Sequence, residues 1–205
     1  KGFESLINSC YTPLRFWGGK SAAMAFSETG TDILAPGGGC DYPAIVSYQN
    51  DFDGTNPISK EYYDRFYKAI NFCNTAIYHV KNVPFSDKAL TSKREAEVRF
   101  LRAYYYWILV ETFGDTYYTD QPSESIVMAP RKTSVSEIYT HIFEDLDFCM
   151  DSRLSVAQSD GGRVTMWAAK ALKARLLLTR ASELNDKALY EHCLLYTSPS
   201  PRDRG

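Results

Sequence analysis

The apolar positions between Val98 and Thr112 fall on two helical stripes, not one. Val98, Leu101, Tyr105, Ile108 and Thr112 keep helical spacing on one face, and Phe100, Ala103, Tyr104, Trp107 and Val110 keep it on another. A helix with two apolar faces needs two packing partners. The pattern therefore predicts a helix over roughly 87–113 that lies inside an assembly of helices and is more buried than its neighbours. Its tyrosine hydroxyls and indole N–H need polar partners where they are buried. Glu95 and Arg99 stand at i, i+4 with the acid N-terminal, which adds a few tenths of a kcal/mol at most. Gly114 follows as the stop, because glycine enters the left-handed region without a Cβ penalty.

The same period recurs elsewhere. Phe3, Leu6, Ile7 and Cys10 or Tyr11 predict a helix from residue 1 to about 16, its last turn weakened by Pro13. Ser59 is the expected N-cap of a helix near 60–81 that carries Phe66, Ile70, Cys73 and Ile77 until Pro84 interrupts it. Ser134 and Glu137 form a capping box ahead of Val135, Ile138, Ile142, Leu146 and Cys149, which predicts a helix near 135–150. An alanine-rich run predicts a helix near 166–182, and its small side chains let it dock closely on the 87–113 or the 135–150 helix. From Gly18 to Pro57 helical period is absent, and Gly, Asp, Asn and Pro gather around short strand-like pieces such as Ala44 to Tyr48. So long a stretch is more than a connector, and long loops in compact domains usually carry function. The fold class expected is all-α.

Four segments resemble the SusD/RagB family. The run from Glu97 to Asp115 looks like its signature helix. Tyr63, Phe66, Tyr67, Ile70, Asn71 and Asn74 are similar to its aromatic, Tyr, Ile and Asn pattern. Glu144-Asp145-Leu146 matches an acidic-Leu turn, and Gly162-Arg163-Val164-Thr165 matches a turn that feeds an alanine-rich helix. Thr31-Asp32 and Pro36-Gly37 look like landmarks of the family's N-terminal loop. The resemblance runs over about residues 1–190 and covers only the N-terminal portion of a longer family pattern.

It implies tetratricopeptide-like helical hairpins with a long irregular N-terminal loop. Members are outer-membrane lipoproteins that capture nutrients, mostly oligosaccharides, for a SusC-like TonB-dependent transporter, so binding is implied and catalysis and cofactors are not. A helical-repeat scaffold for protein contact, or a peptide-binding RagB-like component, is the alternative. The family's lipoprotein signal and anchor cysteine would precede Lys1, so any membrane attachment lies outside this chain. Residues 1–192 read as the helical domain. Residues 193–205 break its composition and resemble a tail translated from sequencing-adapter DNA, with a true Pro/Ser linker as the rival.

Composition removes several classes of function. A formal charge of −2 and a pI near 6.0 give no basic field for nucleic acid. No apolar run is long enough for a transmembrane helix, and Lys1-Gly2-Phe3 begins no signal peptide. The five cysteines, Cys10, Cys40, Cys73, Cys149 and Cys193, include no CxxC pair, and Cys73 and Cys149 sit on apolar stripes as small hydrophobes.

Candidate chemistry is sparse. Gly19-Lys20-Ser21 imitates the end of a phosphate loop, but Leu14 stands where the first glycine is required. Asp51 to Asn56 suggests a calcium loop, yet Gly54 comes two places early and Tyr62 replaces the bidentate Glu, so a solvated turn is expected. His79, His141 and His192 are isolated. Glu144 and Asp145 diverge by about 100° around a helix and are poorly placed for joint acid-base work. What remains is ligand contact from the 27–57 loop. Tyr42, Tyr48 and Asn50 are the chosen candidates, because aromatic faces and amide donors suit sugar rings. The fifteen tyrosines could equally serve as core, which is the expectation for those at helical spacing.

Overall fold

A computed structural model describes residues 2–19, 21–29, 31, 45, 48, 53–82, 87–125, 127–151, 154 and 161–194. Among them are eight helices: α1 (Gly2–Tyr11), α2 (Leu14–Gly19), α3 (Ser21–Ser27), α4 (Pro57–Asn82), α5 (Lys88–Phe113), α6 (Val135–Met150), α7 (Met166–Leu184) and α8 (Lys187–Leu194). Extended pairing among the described residues is limited to an isolated antiparallel bridge between Thr116 and Thr133. The fold is all-α and tetratricopeptide-like, as the periodicity and the resemblance implied.

Chain order and packing order nearly coincide. α5 lies between α4 and α6, α1 covers α4 and part of α5, α7 packs on α6, and α8 folds back on α7. Both stripes of α5 find partners. Val98, Leu101, Tyr105 and Ile108 are buried, as are Ala103 and Val110 of the second stripe, while Phe100, Tyr104 and Trp107 are partly buried against the core. The helix ends where glycine permits it: Gly114 has φ +68 and its N–H bonds the Val110 carbonyl at 3.0 Å. At the other end Asp87 caps it, its carboxylate accepting from the Leu90 N–H at 2.9 Å.

Three local expectations need correction. Residues 1–16 do not form one helix. Pro13 has no N–H to continue the ladder, so α1 ends at Tyr11 and α2 starts at Leu14 after a turn at residues 12–13. α4 begins at Pro57, not after Ser59. Asn56 caps it by accepting from the Ile58 N–H at 3.0 Å, and Pro57 takes the first helical position, where a missing N–H costs nothing. The aperiodic stretch after Gly18 contains α3, and its strand-like piece is not extended at the two residues described there: Ile45 is helical and buried, and Tyr48 turns with φ 53.

The α7 helix docks on α6, with Ala169, Leu172 and Leu176 in the main core. Thr165 caps it by accepting from the Ala168 N–H at 3.3 Å. α8 carries the helical domain two residues beyond 192. Cys193 is buried and its thiol donates to the Ala174 carbonyl at 3.1 Å. Residues 195–205 lie outside the described residues.

Candidate functional site

The loop chosen from sequence is only partly described. Tyr48 is 68% exposed in a turn with positive φ. Tyr42 and Asn50 lie outside the described residues. The neighbouring acidic segment is a turn: Asp53 accepts from the Thr55 N–H at 2.8 Å and from its hydroxyl at 2.6 Å. Those bonds, the hydroxyl first, hold the Asp53 carboxyl below its usual range. Among the described residues no three His, Cys, Asp or Glu side chains gather as a metal site. The described histidines work separately, His141 stacking on Tyr118 at 4.1 Å and bonding Glu144 at 3.0 Å. Glu144 and Asp145 do diverge, the first exposed toward His141 and the second buried among arginines.

Sequence reasoning missed the polar networks inside the helices. Glu97, fully buried, accepts from Arg94 at 2.6 Å, from Arg163 at 2.9 Å and from the Tyr11 hydroxyl at 3.0 Å. Glu4 joins the same two guanidiniums from α1, at 3.0 and 3.4 Å. Arg163 also donates to Asn8 at 2.9 Å, and the Val164 N–H donates to the Tyr11 hydroxyl at 3.2 Å. The Gly162-Arg163-Val164-Thr165 turn therefore carries one arginine back to α5 and α1 and then caps α7. Burial, and after it the Glu97 carboxylate, push the Tyr11 phenol well above its ordinary value.

A second network fixes α4, α5 and α6. Asp145 accepts from Arg102 at 2.7 Å through both oxygens, a bidentate pair, and from Arg99 at 3.1 Å. Arg102 also donates to the Asn74 side chain at 3.0 Å. Burial alone would push the Arg102 guanidinium down, and Asp145 more than reverses that, so it is held above its usual value. Asn74 in turn donates to the Thr119 and Gln121 carbonyls at 2.9 and 3.1 Å, and Asn71 accepts from the Ser123 N–H at 2.8 Å. The asparagines of the α4 motif thus clamp the chain that links α5 to α6. The signal for both networks was in the sequence as charges set among apolar positions of α5, but periodicity alone does not assign partners.

Two clefts open beside α1 and α2, and sequence reasoning selected neither. One, of about 440 Å3, is lined by Asn8, Tyr11, Thr12, Arg15, Gly161, Gly162 and Arg163. The other, of about 470 Å3, is lined by Ser9, Thr12, Pro13, Arg15, Phe16, Arg65, Lys68 and Phe72. Both fall within the size range of small-molecule sites. They meet at Thr12 and Arg15, where the chain turns between α1 and α2. Arg65 lies over the Phe16 ring at 4.7 Å and Lys68 over the Phe72 ring at 5.9 Å.

Known proteins share this helical frame. The SusD-like family described as starch-binding associating with outer membrane matches residues 3–178. A SusD-like protein of Bacteroides ovatus is 26% identical over 158 residues, which cover 76% of this chain and 28% of that protein. The starch-binding protein SusD of Bacteroides thetaiotaomicron is 32% identical over 90 residues, covering 44% of this chain and 16% of that one. The crystal structure of a SusD superfamily protein from Parabacteroides distasonis superposes with a TM-score of 0.81 at 25% identity, over 95% of this chain and 43% of that chain. The chain thus spans less than half the length of these relatives.

Proposed function

This chain belongs to the SusD-like family, and from that membership we propose that the protein it represents captures oligosaccharide at the outer membrane and hands it on unchanged. The observation that carries the proposal is the continuous match over residues 3–178, on a fold that keeps the same helical frame. The partner is a SusC-like TonB-dependent transporter, and attachment to the membrane is through a lipid anchor. No helix among the described residues is long and apolar enough to cross a membrane. Catalysis is no part of the proposal. The charged side chains that the helices enclose are committed to one another in Glu97–Arg163 and Asp145–Arg102 pairs, an arrangement that builds a rigid frame.

Tyr42, Tyr48 and Asn50 are proposed as ligand contacts from the loop before α4. The exposure of Tyr48 supports its part in this, because a solvent-facing aromatic ring can stack on a sugar face. A glycan array followed by calorimetry on the full-length protein tests the proposal. Binding of an oligosaccharide that weakens in Tyr48→Ala upholds it. Binding of peptides with no response to glycans favours the RagB-like alternative instead.

A further inference from the structure

We propose that the trough formed by the two clefts around Arg15 binds an acidic oligosaccharide, one whose rings bear carboxylate or sulfate groups. This rests on the glycan-capture reading above and narrows it to a substrate class and a second place on the molecule. The first reason is charge. Among the described residues the clefts present Arg15, Arg65, Lys68 and Arg163 and no carboxylate, in a chain whose formal charge is −2. Cations gathered in a concave surface focus their field on an anionic ligand.

The second reason is that part of this charge has not been neutralised. Arg163 is committed to Glu97 and Glu4, and Arg65 has an exposed partner in Glu61 at 2.6 Å. Arg15 and Lys68 are exposed and have no carboxylate partner among the described residues. Two exposed cations that line one cleft without a carboxylate partner among the described residues favour an anion that reaches both.

The third reason is the lining between the charges, which separates a sugar from a bare anion. Phe72 is partly buried and Pro13 lies in the same groove, and Ser9, Thr12 and Asn8 line it too, the two hydroxyls keeping acceptor capacity beyond their bonds to helix carbonyls and the Asn8 amide its N–H groups. Apolar faces suit the C–H side of a pyranose, hydroxyls and amides suit its rim, and guanidinium forks suit its carboxylate. A small inorganic anion would use only the cations.

The test is calorimetric titration of the chain with short oligogalacturonates, and with maltooligosaccharides of equal length as neutral probes. The acidic series is expected to bind preferentially, and its affinity to fall as ionic strength rises from about 0.05 to about 0.5 M. Arg15→Ser combined with Lys68→Ser is expected to weaken it by about tenfold or more, a change of about 1.4 kcal/mol. Both positions are exposed, and circular dichroism checks that the variant keeps its helices. Equal binding of neutral and acidic sugars, or acidic binding unchanged in the double variant, overturns the trough while leaving glycan capture standing. Sodium sulfate alone binding as tightly as the sugar, or phosphatidylglycerol vesicles binding in its place, also overturns it. Binding of neither sugar series, here and by the full-length protein, overturns both readings.

Discussion

Glu97 ties three parts of the chain together, because its carboxylate gathers donors from α1, α5 and the turn before α7 while having no exposure to water. Removing one member of a buried ion cluster strands the others. Glu97→Ala is accordingly expected to lower the unfolding free energy by about 3–5 kcal/mol in a urea melt. A loss under about 1 kcal/mol would mean that water reaches the guanidiniums more readily than their burial implies. Aromatic residues require a finer distinction than periodicity provides. Trp107 is only half-buried, with Arg175 over its ring at 5.2 Å and its indole N–H enclosed without an acceptor among the described residues. Tyr105 has no exposure, and its hydroxyl donates to the Cys10 carbonyl at 2.7 Å. Tyr105→Ala should therefore cost about 3–5 kcal/mol and Trp107→Ala less. Tyr48→Ala should stay within about 0.5 kcal/mol, since its ring stands mostly in solvent. The sequence pattern ranks Trp107 with the core, but its two-stripe geometry does not say which stripe sits deeper.

Helix ends were legible where a single side chain decides them. Ser134 accepts from the Glu137 N–H at 3.3 Å, and Gly114 takes the positive φ that its place after α5 requires. Gly114→Ala is expected to cost about 1–3 kcal/mol by thermal melting, although a Cβ there would meet no atom, because the penalty is backbone strain and not crowding. Two boundaries shifted because a neighbour changed the local preference: Asn56 with Pro57 outcompetes Ser59, and Pro13 divides one predicted helix into two. At α7 the docking partner, open between two helices in the sequence, is α6. Truncation after residue 160 removes Leu172 and Leu176 from the core and Arg163 from Glu97, so circular dichroism and limited proteolysis should report a loosened α5–α6 pair. Deleting 195–205 should leave the helices intact. The deletion must spare Cys193, whose burial places it in the structure although the composition break suggested a tail starting there.

At the scale of the molecule, the abundance of tyrosine links stability to alkaline pH. Burial is the largest cause that raises the phenols of Tyr105, Tyr106 and Tyr139 well above their ordinary value, and it pushes Tyr118 up to about 12. Above pH 10 the unfolded chain releases phenolic protons that the folded chain keeps, so the unfolded state binds fewer protons and stability falls as pH rises. The contribution is fully present below about pH 10 and is lost from there upward. Spectrophotometric titration should show tyrosinate appearing together with loss of helical dichroism, instead of as independent titration near pH 10. The sequence by itself determined the long helices of the assembly, the all-α class and the family. These depend on period, caps and motif order, which are local or written directly in the chain. It did not determine which charges meet inside, since Glu4, Glu97 and Arg163 are separated by up to 159 positions and only packing makes them neighbours. Nor did it reveal the trough. Arg65, Lys68 and Phe72 share a face of α4 by spacing alone, but Arg15 and Phe16 join them only in the folded chain, where Phe16 lies under the Arg65 guanidinium. Partnership between distant side chains is a property of the assembled helices, and the tertiary structure alone decides it.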